Sequence, residues 1–226
     1  ASELGGYKNK RLTQLQVLLA NLISNHQTDP DLYTSVSLAD GFYKPHSRYN
    51  SHSIGKGFIN LIRDLAAGDW LELHKGFIDR ASGISRLTRI KPNDKTLKLI
   101  EDLKAYSHLI ARAPNTECII QRDEDKKDIE YIDTHENMQD RAHLTAYNNL
   151  LHKTLIDHPD FPTKGVPLKD GRTFKINKSD RFVRRIYNKS SFEWNGRYYG
   201  GWWQRTPKAY RSGIQLDRAQ TCEIDF

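Results

Sequence analysis

Residues 54–67 constrain the fold most. Ile54, Phe58, Leu61, Ile62 and Leu65 fall on one side of a helix, and Lys56, Asn60 and Arg63 fall on the other. Ser53 is placed to cap this helix and Gly68 to end it. So one-sided a helix must lay its apolar face on a core supplied by the rest of the chain. The neighbours offer one. Upstream, Leu12, Leu15, Leu19 and Leu22 make a helical stripe over residues 11–23. Residues 32–43 read as extended, with Val36 and Leu38 in period two. Downstream, residues 70–77 read as a strand with Leu71 and Leu73 on one face. A turn at 79–83 returns the chain through 84–91, which carries Arg86, Arg89 and Lys91. Asn93 or Asp94 then starts a helix with Leu97, Ile100 and Leu103 at core spacing. Residues 1–10 are small and polar and read as a loose tail.

Helix, extended segment, helix, hairpin, helix is the grammar of a winged helix-turn-helix domain, expected here over residues 11–110. A helix fits the width of the major groove and needs one polar side for base edges. Lys56, Asn60 and Arg63 supply that side, and Ser53 stands where helix N–H groups bind phosphate. A wing needs cations for neighbouring phosphates, and Lys75, Arg80, Arg86 and Arg89 supply them. The plainer reading is a solvated charged face. Asp64 and Asp69 lie near the proposed DNA face, and winged helices also bind proteins.

Charge points the same way. The 226 residues hold 35 Lys and Arg against 28 Asp and Glu, a net +7. Residues 1–100 carry +5, residues 101–160 carry −6 and residues 161–226 carry +8. Two basic blocks flanking an acidic middle favour a polyanion as partner, first of all duplex DNA. No stretch approaches the roughly 18 apolar residues of a spanning helix, and no signal peptide is recognisable, so no membrane partner is expected. Two cysteines exclude a disulfide framework and a four-cysteine zinc site. Four Trp, eleven Tyr and eight Phe argue against disorder. A folded cytoplasmic protein is expected.

Residues 111–160 read as an acidic hairpin, with a strand at 118–121 and a return at 129–132, followed by a long helix from Thr134 to about Ile156. Leu144, Tyr147, Leu151 and Leu155 are placed on its buried side. Residues 161–226 read as a basic, aromatic, β-rich subdomain. Asn195-Gly196 signals a hairpin within 192–199, and a second hairpin turns near 217–220. The fold class is α+β: an N-terminal winged helix-turn-helix domain, a helical and strand linker, and a small β-rich C-terminal subdomain.

Between Phe192 and Trp203 six of twelve residues are aromatic, interleaved with Arg197 and followed by Arg205. Such rings can stack the unpaired bases of single-stranded DNA while arginines hold the backbone. The favoured reading of the cluster as a whole is a small hydrophobic core for a β-rich subdomain. In a strand, adjacent Trp202 and Trp203 point to opposite faces, leaving one for a ligand.

Two stretches carry a family resemblance. YNSHSIGKGFINLIRDLAAGDWLELHKGFIDRASGISRLTRIKPNDKT, residues 49–96, resembles the winged-helix segment of a large, poorly characterised family of bacterial genomes, phages and mobile elements. RIYNKSSFEWNGRYYGGWWQRTPKAYRSGIQLDRAQTCEIDF resembles that family's C-terminal signature, a YGGWWQ block, a proline and a hairpin ending acidic–apolar–Asp–aromatic. Longer relatives continue with a pattern similar to the first metal motif of template-directed DNA polymerases. The resemblance implies that Asp225 is a first Mg²⁺ ligand at the start of a polymerase-like palm. Two-metal chemistry needs carboxylates from neighbouring strands. Here the sequence stops at Phe226, and Glu223 lies on the same strand as Asp225. The expectation is either a truncated chain or a relative without catalysis, with no cofactor in this chain and Mg²⁺ only in a longer form. Whether the full protein is an enzyme stays open.

Other motifs point nowhere specific. His135-Glu136 and His143 do not make the two-histidine zinc motif, and His143 and His152 read as surface or interface residues. Asp123, Glu124, Asp125, Asp128, Glu130 and Asp133 lack the spacing of a calcium loop. The expected function is a DNA-binding protein of a phage or mobile element, in replication or its control. The alternatives are a fragment of a template-directed nucleotidyltransferase and a protein-interaction module.

Overall fold

The computed structural model describes residues 2–106, 109–113, 115–194 and 196–222, and only the backbone of residues 2–8. The fold is α+β, with several small sheets and, among the described residues, no barrel. It divides into two compact units, Ala1–Ile110 and Ala111–Phe226.

The first unit runs α1 (Ser2–Thr28), β1 (Thr34–Val36), α2 (Lys56–Ala67), β2 (Leu71–His74), β3 (Phe77–Asp79), β4 (Ile84–Arg86), β5 (Thr88–Pro92) and α3 (Asp94–Asp102). The helix expected over 11–23 therefore begins at Ser2, and residues 2–10 are helical rather than a tail. Strands β1, β5 and β2 form an antiparallel sheet in that order, with Ile90 opposite both Thr34 and Leu73. The period of two sends Val36, Leu71 and Ile90 to one face, where they meet Leu18 and Leu22 of α1 and Phe58 and Ile62 of α2. Ile62 and Ile90 are completely buried, each worth about 1.5–3 kcal/mol of transfer free energy.

Helix α2 buries the side its pattern announces, but its ends differ from expectation. Its N-cap residue is Gly55, without a side-chain cap, and Ser53 sits upstream at φ +47°. Asn50 organises the approach instead: its Oδ1 accepts from Ile54 N at 2.9 Å and its Nδ2 donates to Ile54 O at 2.8 Å. At the other end Asp69, not Gly68, takes the left-handed conformation, at φ +55°. Asp69 N donates to Ala66 O and Trp70 N to Leu65 O, the pairing of a Schellman stop. Asn93 Nδ2 donates to Asp69 O at 2.7 Å, while Asn93 Oδ1 caps α3 by accepting from Thr96 N. In α3 Ile100 is buried, whereas Leu103, expected in the core, is 67% exposed just past the helix end.

The second unit runs β6 (Ile119–Arg122), β7 (Asp128–Ile129), α4 (His135–Lys153), β8 (Ile156–Asp157), β9 (Val166–Pro167), β10 (Thr173–Phe174), β11 (Val183–Tyr187), β12 (Arg197–Gly200), α5 (Trp202–Arg205), α6 (Lys208–Arg211), β13 (Gln215–Leu216) and β14 (Ala219–Gln220). Residues 111–160 and 161–226 share one sheet, of order β12-β11-β6-β7, in which β6 and β11 run parallel. Helix α4 opens on a capping box between Thr134 and Asn137. Its Leu144 and Leu151 pack with Cys118, Ile119, Val183, Tyr187 and Trp202. Tyr147 and Leu155, expected beside them, are 46% and 47% exposed.

Asn148 is buried in their stead. Its Oδ1 accepts from Val183 N at 2.7 Å and its Nδ2 donates to Val183 O at 2.9 Å. Pairing of β11 with β6 begins only at Arg185, so the Asn148 amide takes a neighbouring strand's place at Val183. The hairpin expected within 192–199 is instead a pairing of β11 with β12 across a longer connection, and Asn195 lies outside the described residues. The second hairpin is present as β13 and β14, turning on Asp217 and Arg218 at φ +49° and +69°.

Candidate nucleic-acid interface

The polar side of α2 borders a groove of about 470 Å³ between α1 and α2. Ser53, Lys56, Asn60 and Arg63, the four residues singled out in sequence, all line it. Lys10, Arg11 and Gln14 of α1 form its other wall. Lys10 was read as tail, and nothing in its local pattern marks it; only the unbroken α1 brings it here. Gly57 lets the helices close, since a Cβ there would stand 3.3 Å from Gln14 Oε1. Among the described residues four cations share the groove with one carboxylate, Asp64, which pairs with Arg11 at 2.7 Å. Lys56 Nζ lies 3.8 Å from Asp40, and Arg63 Nη2 donates to Leu38 O at 3.3 Å. Arg63 is thus steadied by backbone without being neutralised.

The hairpin after α2 has two stories. Strands β2 and β5 belong to the core sheet, while β3 and β4 pair beyond it, Phe77 opposite Arg86. Gly76 sits at the junction, where a Cβ would come within 2.6 Å of Arg86 O and Thr88 N. Its N–H is taken by Thr88 Oγ1 at 3.0 Å. At the tip Asp79 accepts from Ala81 N and from Ser82 Oγ, which holds its carboxyl below the usual range. Lys75, Arg80 and Arg86 are exposed on this extension, together with Phe77, Ile78, Ile84 and Leu87. The exposed apolar residues are unexpected for a wing read as basic.

Arg89 stands apart from the tip, on the outer face of the core sheet. There its guanidinium lies over the Tyr33 ring at 5.4 Å, beside Lys91 at 5.1 Å. Glu72 centres this cluster: it accepts from Tyr33 Oη at 2.7 Å, lies 2.5 Å from His74 Nε2 and 3.1 Å from Lys91 Nζ. The Tyr33 and His74 hydrogen bonds first, then Lys91, lower its pKa to about 2 against an ordinary 4.5.

In the second unit the YGGWWQ block is a bend. Strand β12 ends at Gly200, and Gly200 and Gly201 take φ +122° and +76°. Side chains there would run into Phe182 O and the Trp203 ring respectively. The chain then enters α5 directly. Gln204 Oε1 accepts from Gly200 N at 2.9 Å and fastens the bend. The tryptophans therefore follow helical geometry rather than alternating along a strand. Trp202 is 0% exposed and offers no face to a ligand, while Trp203 is half-buried. Arg205 pairs with Asp180. Arg197 stands opposite Ile186, on the sheet face turned away from Val183 and Arg185.

A second groove, of about 480 Å³, opens between α4, β11, β12 and α5. Asp140, His143 and Tyr147 line it from α4, Arg185 and Tyr198 from the sheet, and Trp203 and Gln204 from α5. Asp140 Oδ2 accepts from Arg185 Nη1 and from Tyr187 Oη, both at 2.7 Å. Burial and that contact push the Tyr187 hydroxyl above its ordinary range. From the sequence Tyr147 reads as core and His143 as surface or interface; the signal that groups them is a spacing of seven and three residues from Asp140 along one helix face.

Asp225 and Glu223 lie outside the described residues. Among the described residues no group of three or more His, Cys, Asp and Glu side chains is placed to hold a metal ion. Among them, too, no helix is long and apolar enough to cross a membrane. No family model, curated protein or solved structure matches the chain.

Proposed function

We propose that this chain is a cytoplasmic DNA-binding protein of a phage or mobile element, acting in replication or its control, whose first unit docks on duplex DNA as a winged helix. The observation that carries the reading is the α2 groove, where Lys56, Asn60 and Arg63 share one exposed side with Lys10 and Arg11. The order α1, β1, α2 and an extended hairpin supports it, as does the resemblance of residues 49–96 to a winged-helix segment. Turns replace a helix over residues 38–55, so the domain would be a winged helix with a shortened approach to its reading helix. Helix α2 would enter the major groove, and Lys75, Arg80 and Arg86 would hold phosphates at the tip. The second unit would then be the segment that leads, in longer relatives, to a polymerase-like palm.

A second reading has one observation in its favour. Phe77, Ile78, Ile84 and Leu87 lie exposed on one hairpin, which suits docking on a protein partner.

Anisotropy titration of labelled duplexes across a salt series separates the two. Duplex binding with a steep salt slope is expected. Arg63→Ala should relax sequence preference, at about 1–3 kcal/mol for the preferred site. Arg86→Ala should weaken all duplexes alike and lower the salt slope by about one. No duplex binding at low salt would remove the DNA reading and leave the partner-docking hairpin.

A further inference from the structure

We propose that the groove between α4, β12 and α5 is a binding site for an unpaired base of single-stranded DNA. Three aromatic residues from three different elements line it. Tyr147 comes from the middle of α4, Tyr198 from β12 and Trp203 from the first turn of α5. Tyr198 is 54% exposed and Tyr147 nearly as open. Half-open rings on an open concavity leave apolar surface that a flat aromatic ligand covers well.

The walls are held in place before any ligand arrives. Trp203 is set by the Gly200-Gly201 bend and rests edge-on against buried Trp202, with ring centroids 6.1 Å apart. Tyr198 stands opposite Arg185 in the sheet register, with the guanidinium 5.5 Å from its ring. Arg185 is itself fixed by Asp140 and by Gly196 O. Stacking on a pre-set ring avoids the entropy cost of ordering it.

The polar edge suits a base better than a purely apolar ligand. His143, Gln204, Asp140 and Arg185 bring both hydrogen-bond donors and acceptors to the same concavity. The carboxylate of Asp140 is neutralised by Arg185, so it does not repel a polyanion. Residues 161–226, which supply Tyr198, Trp203 and Arg185, carry a net +8 against −5 for residues 111–160, which supply α4, so the unit keeps a modest net +3 towards a phosphodiester strand. A duplex cannot place a stacked base there, so the site selects unpaired strands. The groove lies wholly in the second unit, and its occupancy is independent of duplex docking by the first.

The test titrates the full chain with labelled oligo-dT, with an abasic strand of the same length, with duplex and with thymidine monophosphate. Oligo-dT should bind about tenfold or more tighter than the abasic strand and quench tryptophan emission, and Trp203→Phe should abolish most of that quenching. Tyr147→Ala and Tyr198→Ala should each weaken oligo-dT binding by about fivefold or more while leaving abasic and duplex binding unchanged. Both positions are open to water, so unchanged thermal melting is expected to confirm that the variants fold. Equal affinity for oligo-dT and the abasic strand would overturn the proposal, and so would equal losses of both in the tyrosine variants. Thymidine monophosphate binding as tightly as the oligonucleotide would also overturn it, in favour of a free nucleotide. Loss of duplex binding alone, by Arg63→Ala and Arg86→Ala together, would leave this site untouched.

Discussion

Helices α2 and α4 solve the same problem by different means. Both lay one side against a sheet. Helix α2 does so with an apolar face of Phe58, Ile59, Leu61 and Ile62, leaving charge to the water. Helix α4 buries Asn137 and Asn148 along with Leu144 and Leu151 and leaves Tyr147 and Leu150 outside. The first is a surface-area solution, tolerant of shape because burial is non-directional. The second depends on aimed hydrogen bonds, where a missing partner leaves a buried group unsatisfied. The first unit should therefore respond to lost volume and the second also to lost polar geometry.

The largest effect expected from this contrast is in the second unit. Trp202→Ala removes a fully buried ring at the centre of its core and should cost about 3–5 kcal/mol in urea unfolding. A cost below about 1 kcal/mol would show that the core re-packs around the loss. Next comes Asn148→Ala, which takes the partner from the N–H and C=O of Val183 and should cost about 1–3 kcal/mol in all. The matched change on the other helix, Asn60→Ala on the exposed side of α2, should stay within about 0.5 kcal/mol. Similar losses at both positions would erase the distinction drawn here. Asn93→Ala follows, at about 1 kcal/mol, because it removes the cap of α3 and the anchor on Asp69.

The smallest effect concerns pH. Glu72 has its pKa lowered in the folded protein, so its contribution is present above the ordinary 4.5 and fades as pH falls towards about 2. The groups facing it are Tyr33, His74 and Lys91, with Arg89 beside Tyr33. The Glu72 side chain is 38% exposed, so water screens the pairing, and the effect should be under about 1 kcal/mol. Melting of the native protein and Glu72→Gln across this range should converge at the acid end. A gap that widens on acidification would reverse the assigned sign.

Much of the first unit was legible because its signals are periodic. The apolar rhythm of α2, the alternation in β2 and the cap at Asn93 are local properties of the chain, readable without knowing what they touch. Ser53 misleads because cap chemistry is common in loops: α2 starts on Gly55 with no side-chain cap, and Asn50 braces only the approach, at Ile54. In the second unit the decisive features are non-local. Nothing near Asn148 announces that it will stand in for a strand at Val183. The tryptophans looked like strand residues because tyrosines precede them, and the two glycines that turn the chain look like ordinary loop. Of the site residues, the α2 set was readable from spacing. Lys10 becomes visible only once α1 is placed, whereas Tyr147 and His143 share a helix face with Asp140 by spacing alone, and only the partners from β11, β12 and α5 are non-local.

The two-story hairpin has a consequence for how the first unit opens. Strands β3 and β4 hold no buried side chain, and Gly76 and Leu87 separate their ladder from that of β2 and β5. Its amides should exchange with deuterium through excursions far cheaper than whole-domain unfolding, while those of Ile90 and Leu73 wait for the global event. A protease would find residues 80–83 first and leave the rest folded. The tip is thus a replaceable part: its length and sequence can drift without unsettling the sheet that carries it.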